Sequence, residues 1–391
     1  MAASDPLSRA SAAASTHASS SFATGGGGGG GEAAMTSSGG LLYDDEASEE
    51  EDRRGQKFVG WSDRKTVIMQ TYTTTGSIQM PSFVSREVAQ AGRGGNTLKA
   101  RVDAISEEGD DLVSMVRANA REYVKHMTDL NQELAKAWNA AERVKALKMG
   151  IQCSKLLSDS ATPQFYPSMF VLVTEILDTF GGLVFERIKE KGLTAAGQRK
   201  KRVEEFGPDD VTEEARETCK NWFFKVASIR ELLPRVYMEC AILRCHQFLT
   251  GYSDFPNVLS RLASMMRGIA DPMVATFARA YLVRCGMAVN PNLKPYIQTC
   301  FNDILDSTSR QLKDDHWSKR LVSQSLDSRA YIELMGPATD YIVHCLGYGL
   351  AQGPSLSLLK DYIMRYPLVE VTYSGFRVLG PPVVLTRPSW R

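Results

Sequence analysis

Histidine and cysteine hold most transition metals in proteins, and their spacing in this chain forms no ligand set. The five histidines are scattered: His17, His126, His246, His316 and His344. No His-x-x-x-His pair places two imidazoles on one helix face. Cys240, Cys245 and His246 lack zinc-like spacing, because four residues separate the cysteines on an apolar helix. We therefore predict neither a metal nor any other cofactor.

The sequence also lacks the motifs of nucleotide-binding and hydrolytic enzymes. Its Gly-x-Gly-x-x-Gly match lies in the run Gly25 to Gly31, without the strand and helix that such a loop joins. No Gly-x-Ser-x-Gly, Gly-Lys-Ser/Thr or His-Glu-x-x-His motif occurs. Adjacent carboxylates such as Asp314 and Asp315 stand at predicted helix starts and loops, where capping explains them. We predict that the chain is not an enzyme.

Composition and charge are those of a soluble globular protein. The 391 residues are 43% hydrophobic, and 46 Lys and Arg balance 45 Asp and Glu, so no global field attracts nucleic acid or an anionic membrane. The seven cysteines fall in apolar helical patterns, which favours buried, reduced thiols in the cytoplasm. The most apolar stretch, Phe170 to Phe185, is interrupted by Glu175 and Asp178 and is too short to span a bilayer.

Residues 1–97 are rich in Ala, Ser, Thr and Gly and are predicted to be a disordered tail, because they bury too little apolar surface to offset the entropy of ordering. An acidic run surrounds Ser48, and Glu51 follows three residues later, a pattern suited to an acid-directed kinase. A solvated acidic tail is the favoured interpretation. Asp5 and the low arginine content argue against an organellar transit peptide.

Residues 58–80 differ from the rest of this tail. They include Trp61, Tyr72 and several β-branched side chains, which rarely accumulate where there is nothing to contact. We predict that this segment docks on the folded part as an extended arm.

From residue 98 to residue 367, apolar side chains recur at helical spacing. Proline marks predicted helix starts at Pro167, Pro208, Pro234 and Pro272. The predicted later helices are Pro234–Phe248, Phe255–Arg267, Pro272–Met287, Leu293–Leu312, Tyr331–Leu346 and Ser355–Tyr366. We predict no strand before Leu368, and residues 368–391 form an atypical, irregular tail.

The predicted fold is all-α. Pro234 and Pro272 both open helices that carry an Arg-Cys pair, and they are 38 residues apart, close to the ~40 of HEAT-type hairpins. Several helices are apolar on more than one face and must be sandwiched between neighbours. An α-solenoid of HEAT-like hairpins satisfies this, and such a solenoid is a platform for partners. A compact helical bundle is the alternative.

Residues 187–202 hold seven basic side chains against one acid, Glu190. A solvated flexible loop is the favoured interpretation of this run. The alternatives are a nuclear signal or an anionic-lipid patch, and the loop carries the competing hypothesis of a helical-repeat adaptor in nuclear transport or RNA handling.

Arg235 raises a different question, because it follows Pro234 at the predicted start of an apolar helix, where the helix dipole presents positive charge. Without an anion this position is unfavourable by about 0.3 to 1 kcal/mol. Glu231 or Glu239 could compensate within the chain, although Arg-to-Glu is the poorer order for an i,i+4 pair. An acidic group or a carbonyl of a partner is the sharper interpretation.

The stretch "LPRVYME" at residues 233–239 resembles the Pro-Arg-Leu-Tyr motif of the large α-solenoid subunit of retromer. The fuller pattern is similar to its paralogue family in the Retriever complex, the vacuolar protein sorting 35-like family. The similar segments are "WSDRKTVIMQTYTTT" (61–75), "KALKMGIQCSKLLSD" (145–159), "QFYPSMFVLVTEILDTFG" (164–181), "CKNWFFKVASIRELLPR" (219–235), and "MMRGIADP" with "ARAYLVRCGM" (within 265–287). Apart from the arm segment, they cover roughly residues 100–345.

This resemblance implies a non-catalytic scaffold on endosomes that returns membrane cargo to the cell surface. The implied partners are an arrestin-fold subunit, a metallophosphoesterase-fold subunit and the coiled-coil proteins of the Commander assembly, with peripheral membrane association through them and no nucleic acid. By carry-over, Arg235 contacts the arrestin-fold subunit and Pro234 and Tyr237 shape that contact, with Glu239 in the same motif. Val236 departs from the bulkier residue usual in the family.

Family members are considerably longer than this chain, and the later part of their solenoid holds the metallophosphoesterase-fold subunit. The ending "VEVTYSGFRVLGPPVVLTRPSWR" matches nothing in the family. From this we expect a truncated isoform or gene model in which binding of that subunit is weakened or lost.

Overall fold

In the computed structural model the described residues are 60–73, 78–82, 114–118, 120–192, 208–311 and 314–348, with only the backbone described in 78–82 and 114–118. Most of the predicted tail, Ser48, the predicted helix Ser355–Tyr366 and residues 368–391 lie outside the described residues.

The described elements are helices and one pair of strands. The helices are α1 Trp61–Tyr72, α2 Ala120–Asn139, α3 Arg143–Leu156, α4 Tyr166–Lys191, α5 Glu213–Ala227, α6 Leu232–Ala241, α7 Gln247–Thr250, α8 Phe255–Met265, α9 Pro272–Val289, α10 Pro295–Gln311, α11 Asp315–Ser323 and α12 Ser328–Gly347. The strands are β1 Ile78–Ser82 and β2 Ser114–Ala118.

The chain is an all-α stack of HEAT-like helical hairpins, as predicted. The pairs α3 with α4, α5 with α6, and α8 with α9 follow one another, and α10 to α12 continue the stack. The observed starts of α6 and α9, Leu232 and Pro272, keep a spacing close to the ~40 of such repeats. Helices α4, α6, α9 and α12 pack against one another as an inner layer.

The inner helices begin at the same edge of the stack. Lys155 at the end of α3 pairs with Glu231 before α6 at 2.6 Å. Asp271 before α9 accepts hydrogen bonds from Ser160 at 3.0 Å and from Arg320 at 3.1 Å. Residues 157–162, 228–231, 268–271 and 324–327 therefore lie close together, and we call them the loop edge.

Helix α9 is buried on all sides. Every residue from Pro272 to Met287 is buried, including Arg279 and Arg284. Asp271 caps the helix by accepting hydrogen bonds from the backbone N–H groups of Met273 and Val274. A helix apolar all round must be surrounded by others, and α6, α8, α10 and α12 supply the neighbours.

A buried ion pair joins α4 to α9. Arg284 Nη2 lies 2.8 Å and 2.7 Å from the two carboxylate oxygens of Asp178, and the Tyr281 hydroxyl donates to the same carboxylate at 3.0 Å. This explains why Asp178 interrupts the most apolar stretch of the sequence. A charge that is buried is tolerated when a hydrogen-bonded counter-charge meets it.

All seven cysteines are buried and outside any disulfide, as their apolar setting predicts. Burial raises the pKa of the thiols of Cys153, Cys219 and Cys300 to about 12, because a thiolate would be poorly solvated there. These thiols are protonated and unreactive at neutral pH.

Several predicted helix boundaries were wrong. Pro234 is the third residue of α6 rather than its first, which is tolerated because the first N–H groups of a helix have no intrahelical partner. Residues Pro208–Asp210 form a 3-10 turn, and α5 begins later, at Glu213 after the Thr212 cap. Helix α11 was not predicted.

The prediction of no strand before Leu368 was also wrong. Strands β1 and β2 pair antiparallel from Ile78 with Ala118 to Ser82 with Ser114. Pro81 within β1 weakens the sequence signal for a strand, since proline donates no ladder hydrogen bond.

Helix α4 is longer than its apolar stretch suggested. Pro163–Lys191, which includes α4, is long and apolar enough to cross a membrane by length and composition, but 78% of its most apolar window is buried inside the protein. This is the environment of a core helix.

We predict opposite effects of alanine at two adjacent glycines of α4. A Cβ at Gly181 would lie 2.1 Å from the Ala241 carbonyl oxygen of α6, whereas one at Gly182 would meet nothing within 4 Å. Gly181→Ala should therefore destabilise the fold by roughly 1–3 kcal/mol. Gly182→Ala should be neutral or stabilise it by up to about 1 kcal/mol. Urea unfolding compares them, and equal effects would show that α4 and α6 do not touch at Gly181.

We also predict that Asp178→Asn lowers the free energy of unfolding by about 3–5 kcal/mol, because it leaves the Arg284 charge buried without its counter-charge. Glu333→Gln also removes one carboxylate charge, but from the exposed ion pair with Arg329. It should lower the free energy of unfolding by less than about 1 kcal/mol. Denaturant unfolding of both variants checks this, and similar losses would contradict it.

Candidate partner-binding site

The structure places Arg235 in the fourth position of α6, near the loop edge and half-buried. Its Nε is buried and makes no hydrogen bond with any described residue. No carboxylate among those residues lies within ion-pairing distance of it. The guanidinium therefore retains hydrogen-bonding capacity that this part of the chain does not use.

The two acids that could have compensated Arg235 are held by other cations. Glu231 pairs with Lys155 at 2.6 Å. Glu239, only 7% exposed, pairs with Arg261 of α8 through both of its oxygens. From the sequence, both acids were candidate partners of Arg235. In the structure each of them pairs with a different cation.

Pro234 and Tyr237 lie in the core behind Arg235. Tyr237 is 1% exposed, and its ring lies 5.4 Å from that of Tyr281 on α9. Burial holds the pKa of Tyr237 well above its ordinary value, so the phenol is neutral. Of the four residues predicted from the motif, only Arg235 offers a surface to a partner, while Pro234 and Tyr237 position α6 beneath it.

Within the predicted arm, residues 61–72 form helix α1 rather than an extended segment, and residues 78–80 belong to strand β1. Trp61 is 3% exposed and makes edge contacts with Phe170 of α4 at 5.8 Å and Tyr341 of α12 at 5.3 Å. Its ring also lies 5.1 Å from the Arg284 guanidinium of α9. One side chain thus joins three inner helices and covers the buried ion pair.

Tyr72, at the other end of α1, is half-buried. Partial burial raises its pKa, and the negative charges of Asp340 and Glu333 raise it further. Between Trp61 and Tyr72, Lys65 pairs with Glu175 of α4 at 3.0 Å. Helix α1 therefore lies on α4 and α12 through an aromatic anchor and an ion pair.

The basic run at residues 187–202 is only partly a loop. Arg187, Lys189 and Lys191 belong to α4 and pair with Glu190, Glu186 and Glu214 respectively. Residues 199–202 lie outside the described residues. The competing interpretation as a nucleic-acid or importin-binding loop gains no support from the three basic residues that the structure places.

In the sequence, Arg284 was noted only as part of an Arg-Cys pair that marks the repeat, and Arg279 was not singled out, although both lie in a quoted segment. A signal was present, because arginine in a helix with no polar face is costly unless an anion meets it. Asp178 in an equally apolar run was the matching half of the pair. Only the packing of α4 on α9 shows that these two belong together.

The fold and this site define a class, a helical-repeat protein. Near the loop edge, Arg235 has an Nε that makes no hydrogen bond with any described residue, and no group of three or more His, Cys, Asp or Glu side chains that could hold a metal occurs in the described ranges.

The comparisons with known proteins identify the family. Residues 60–334 match the family model described as VPS35L. The chain is 43% identical over 299 residues to "VPS35 endosomal protein-sorting factor-like" of Danio rerio, covering 75% of this chain and 30% of that protein. For the Homo sapiens protein of that name the identity is 42% over 301 residues, with 75% and 30% covered. For the Dictyostelium discoideum relative it is 35% over 303 residues, with 75% and 29% covered.

The chain belongs to the VPS35L family, and the family inferred from its motifs is confirmed. It spans about 30% of the length of the curated relatives that it matches.

We predict that Trp61→Ala releases α1 from the stack while the other helices remain folded. A 12-residue helix is marginal by itself in water, so α1 depends on its anchor. Hydrogen exchange should show amides 62–72 losing protection to the level of an unfolded peptide. Val67→Ala, at a side chain on the same helix that is 60% exposed, is the matched control and should leave protection unchanged. Retained protection of α1 in Trp61→Ala would contradict the anchoring role.

Proposed function

We propose that this chain is a non-catalytic scaffold in endosomal protein sorting, in an assembly of the Retriever and Commander type that recycles membrane cargo from endosomes to the plasma membrane. Membership of the VPS35L family and the printed names of the relatives, endosomal protein-sorting factors, support this role. The stacked hairpins are suited to it, because such stacks present an extended surface to partners.

The arrestin-fold subunit is the partner that we propose for the loop edge, with Arg235 as the contact. The observation that carries this is the state of Arg235. It is half-buried and lacks an acid partner among the described residues, while Glu231 and Glu239 serve Lys155 and Arg261. An arginine presented in this way can donate charge-assisted hydrogen bonds to a carboxylate or carbonyl of another protein.

The buried side chains of Pro234 and Tyr237 have a different part in this proposal. They fix the direction of α6, so that Arg235 is held in one position before the partner arrives. Less conformational freedom then has to be lost on binding. The metallophosphoesterase-fold subunit and the Commander coiled-coil proteins are further proposed partners of the assembly, and membrane association through these partners is part of the same proposal.

We predict that Arg235→Glu weakens binding of the full chain to the Retriever arrestin-fold subunit by roughly 30-fold or more, because an unpaired negative charge would replace the donor at the contact. Isothermal titration calorimetry measures the affinity. Arg121→Glu, at an exposed residue in the first turn of α2, is the matched charge reversal and should leave the affinity unchanged.

Circular dichroism must show that both variants keep the helical content of the wild type. Equal binding by Arg235→Glu and the wild type would remove Arg235 from the interface. Absence of binding by folded wild-type protein would overturn the proposed partner.

A further inference from the structure

A cavity of about 910 Å³ opens at the loop edge between α9, α10 and the turn Met266–Gly268. Arg279 of α9 lines its interior and is 3% exposed. Arg267 and Arg310 lie at its exposed rim. This cavity is separate from the Arg235 contact. An inference drawn from it does not depend on the function proposed above.

Arg279 is incompletely paired. Its Nη2 lies 3.9 Å from Asp303 Oδ2, beyond hydrogen-bond distance, and its Nε and Nη1 are buried without any hydrogen-bond partner among the described residues. Asp303 is already held by Arg267, whose Nε donates to both of its oxygens at 3.1 Å and 2.9 Å. One carboxylate is thus shared by two guanidinium groups.

The second buried arginine of α9 has a closer counter-charge than Arg279. Arg284, five positions further along, has both oxygens of Asp178 within 2.8 Å and a covering aromatic ring. Arg279 has neither, and it lines a cavity while being almost fully buried. A buried guanidinium in this state costs folding free energy unless an anion completes its surroundings.

The composition of the lining favours a carboxylate as that anion. Three arginines face two aspartates, Asp303 and Asp306, so the lining carries one net positive charge. A single negative charge balances it, whereas a dianion would leave a net negative charge beside the two aspartates. A planar carboxylate also matches the fork of N–H donors on a guanidinium.

The remaining wall favours a peptide as the source of the carboxylate. One side of the cavity is apolar and is formed by Ile269, Ala270, Pro272 and Ala275. Two serines of α10, Ser307 and Ser309, also line it. A peptide with an acidic side chain next to an apolar one can contact the arginines and the apolar side of the cavity at the same time. We propose that this cavity binds an acidic side chain of a partner polypeptide, with Arg279 as the buried contact and Arg310 at the rim.

The binding test uses the full chain labelled with 15N-arginine, whose Nε–H signals report each guanidinium. Acetyl-Leu-Glu-amide is the probe, because its side chain carries its only charge. Acetyl-Leu-Gln-amide is the matched neutral control, and inorganic phosphate tests for a general anion site. Each is titrated to about 20 mM, since one contact by a small ligand gives affinities near the millimolar range.

We expect the Glu probe to shift the Arg279 signal, which is assigned by its loss in Arg279→Lys. The Gln probe should bind at least about tenfold more weakly than the Glu probe. Arg310→Gln should weaken the Glu probe roughly two- to fivefold, whereas Arg329→Gln and Arg235→Glu should not. No shift of the Arg279 signal, equal binding of both dipeptides, or tighter binding of phosphate would each overturn the proposal.

A stability comparison tests the same inference without a ligand. Arg284→Met leaves the buried Asp178 carboxylate without its counter-charge and should lower Tm clearly. Arg279→Met leaves Asp303 with Arg267 and removes an incompletely paired buried charge, so its Tm should be unchanged or higher. A loss of Tm in Arg279→Met equal to that of Arg284→Met would show that Arg279 is a structural residue and would overturn the proposed site.

Discussion

The complete burial of α9 is the constraint on which the rest of the structure depends. A helix with no exposed face from Pro272 to Met287 has to be surrounded before the chain gains stability from it. The neighbouring hairpins supply those surfaces, and each of them buries a face that it could not bury alone. Stacking is therefore obligatory for this sequence, and the loop edge is a consequence of it.

The two arginines of α9 show how one helix carries a structural charge and an incompletely paired one. Arg284 is matched by Asp178 and covered by Trp61, so its charge fixes the register of α4 against α9. Arg279 shares its carboxylate with Arg267 and faces a cavity. Natural proteins tolerate such departures from complete pairing mostly where a site gains from them.

The surfaces proposed for partners lie on rigid elements. Arg235 is held by the buried side chains of α6, and Arg279 by the closed packing of α9. Groups fixed in this way lose little entropy when a partner binds. Helix α1 differs, because it lies on the outside of α4 and α12 and is attached there by Trp61, Ile68 and the ion pair of Lys65 with Glu175.

The sequence by itself determined the fold class, the repeat length and the family, because helical periodicity, proline-marked helix starts and long motifs are local properties of the chain. It also showed Asp178 as a charge in an apolar stretch and the Arg-Cys pairs as markers of the repeat. It did not give the helical form of α1, whose weak amphipathic pattern becomes a helix only against α4 and α12, nor the pairing of β1 with β2 across an intervening segment.

Only the tertiary structure decided which charges meet. Glu239 was a candidate partner for Arg235 by its spacing, but the packing of α8 on α6 brings Arg261 to it instead. The same packing joins Asp178 to Arg284 and leaves Arg279 facing a cavity. Ion pairing depends on distances of a few ångströms between residues far apart in the chain, and the relative position of packed helices sets those distances.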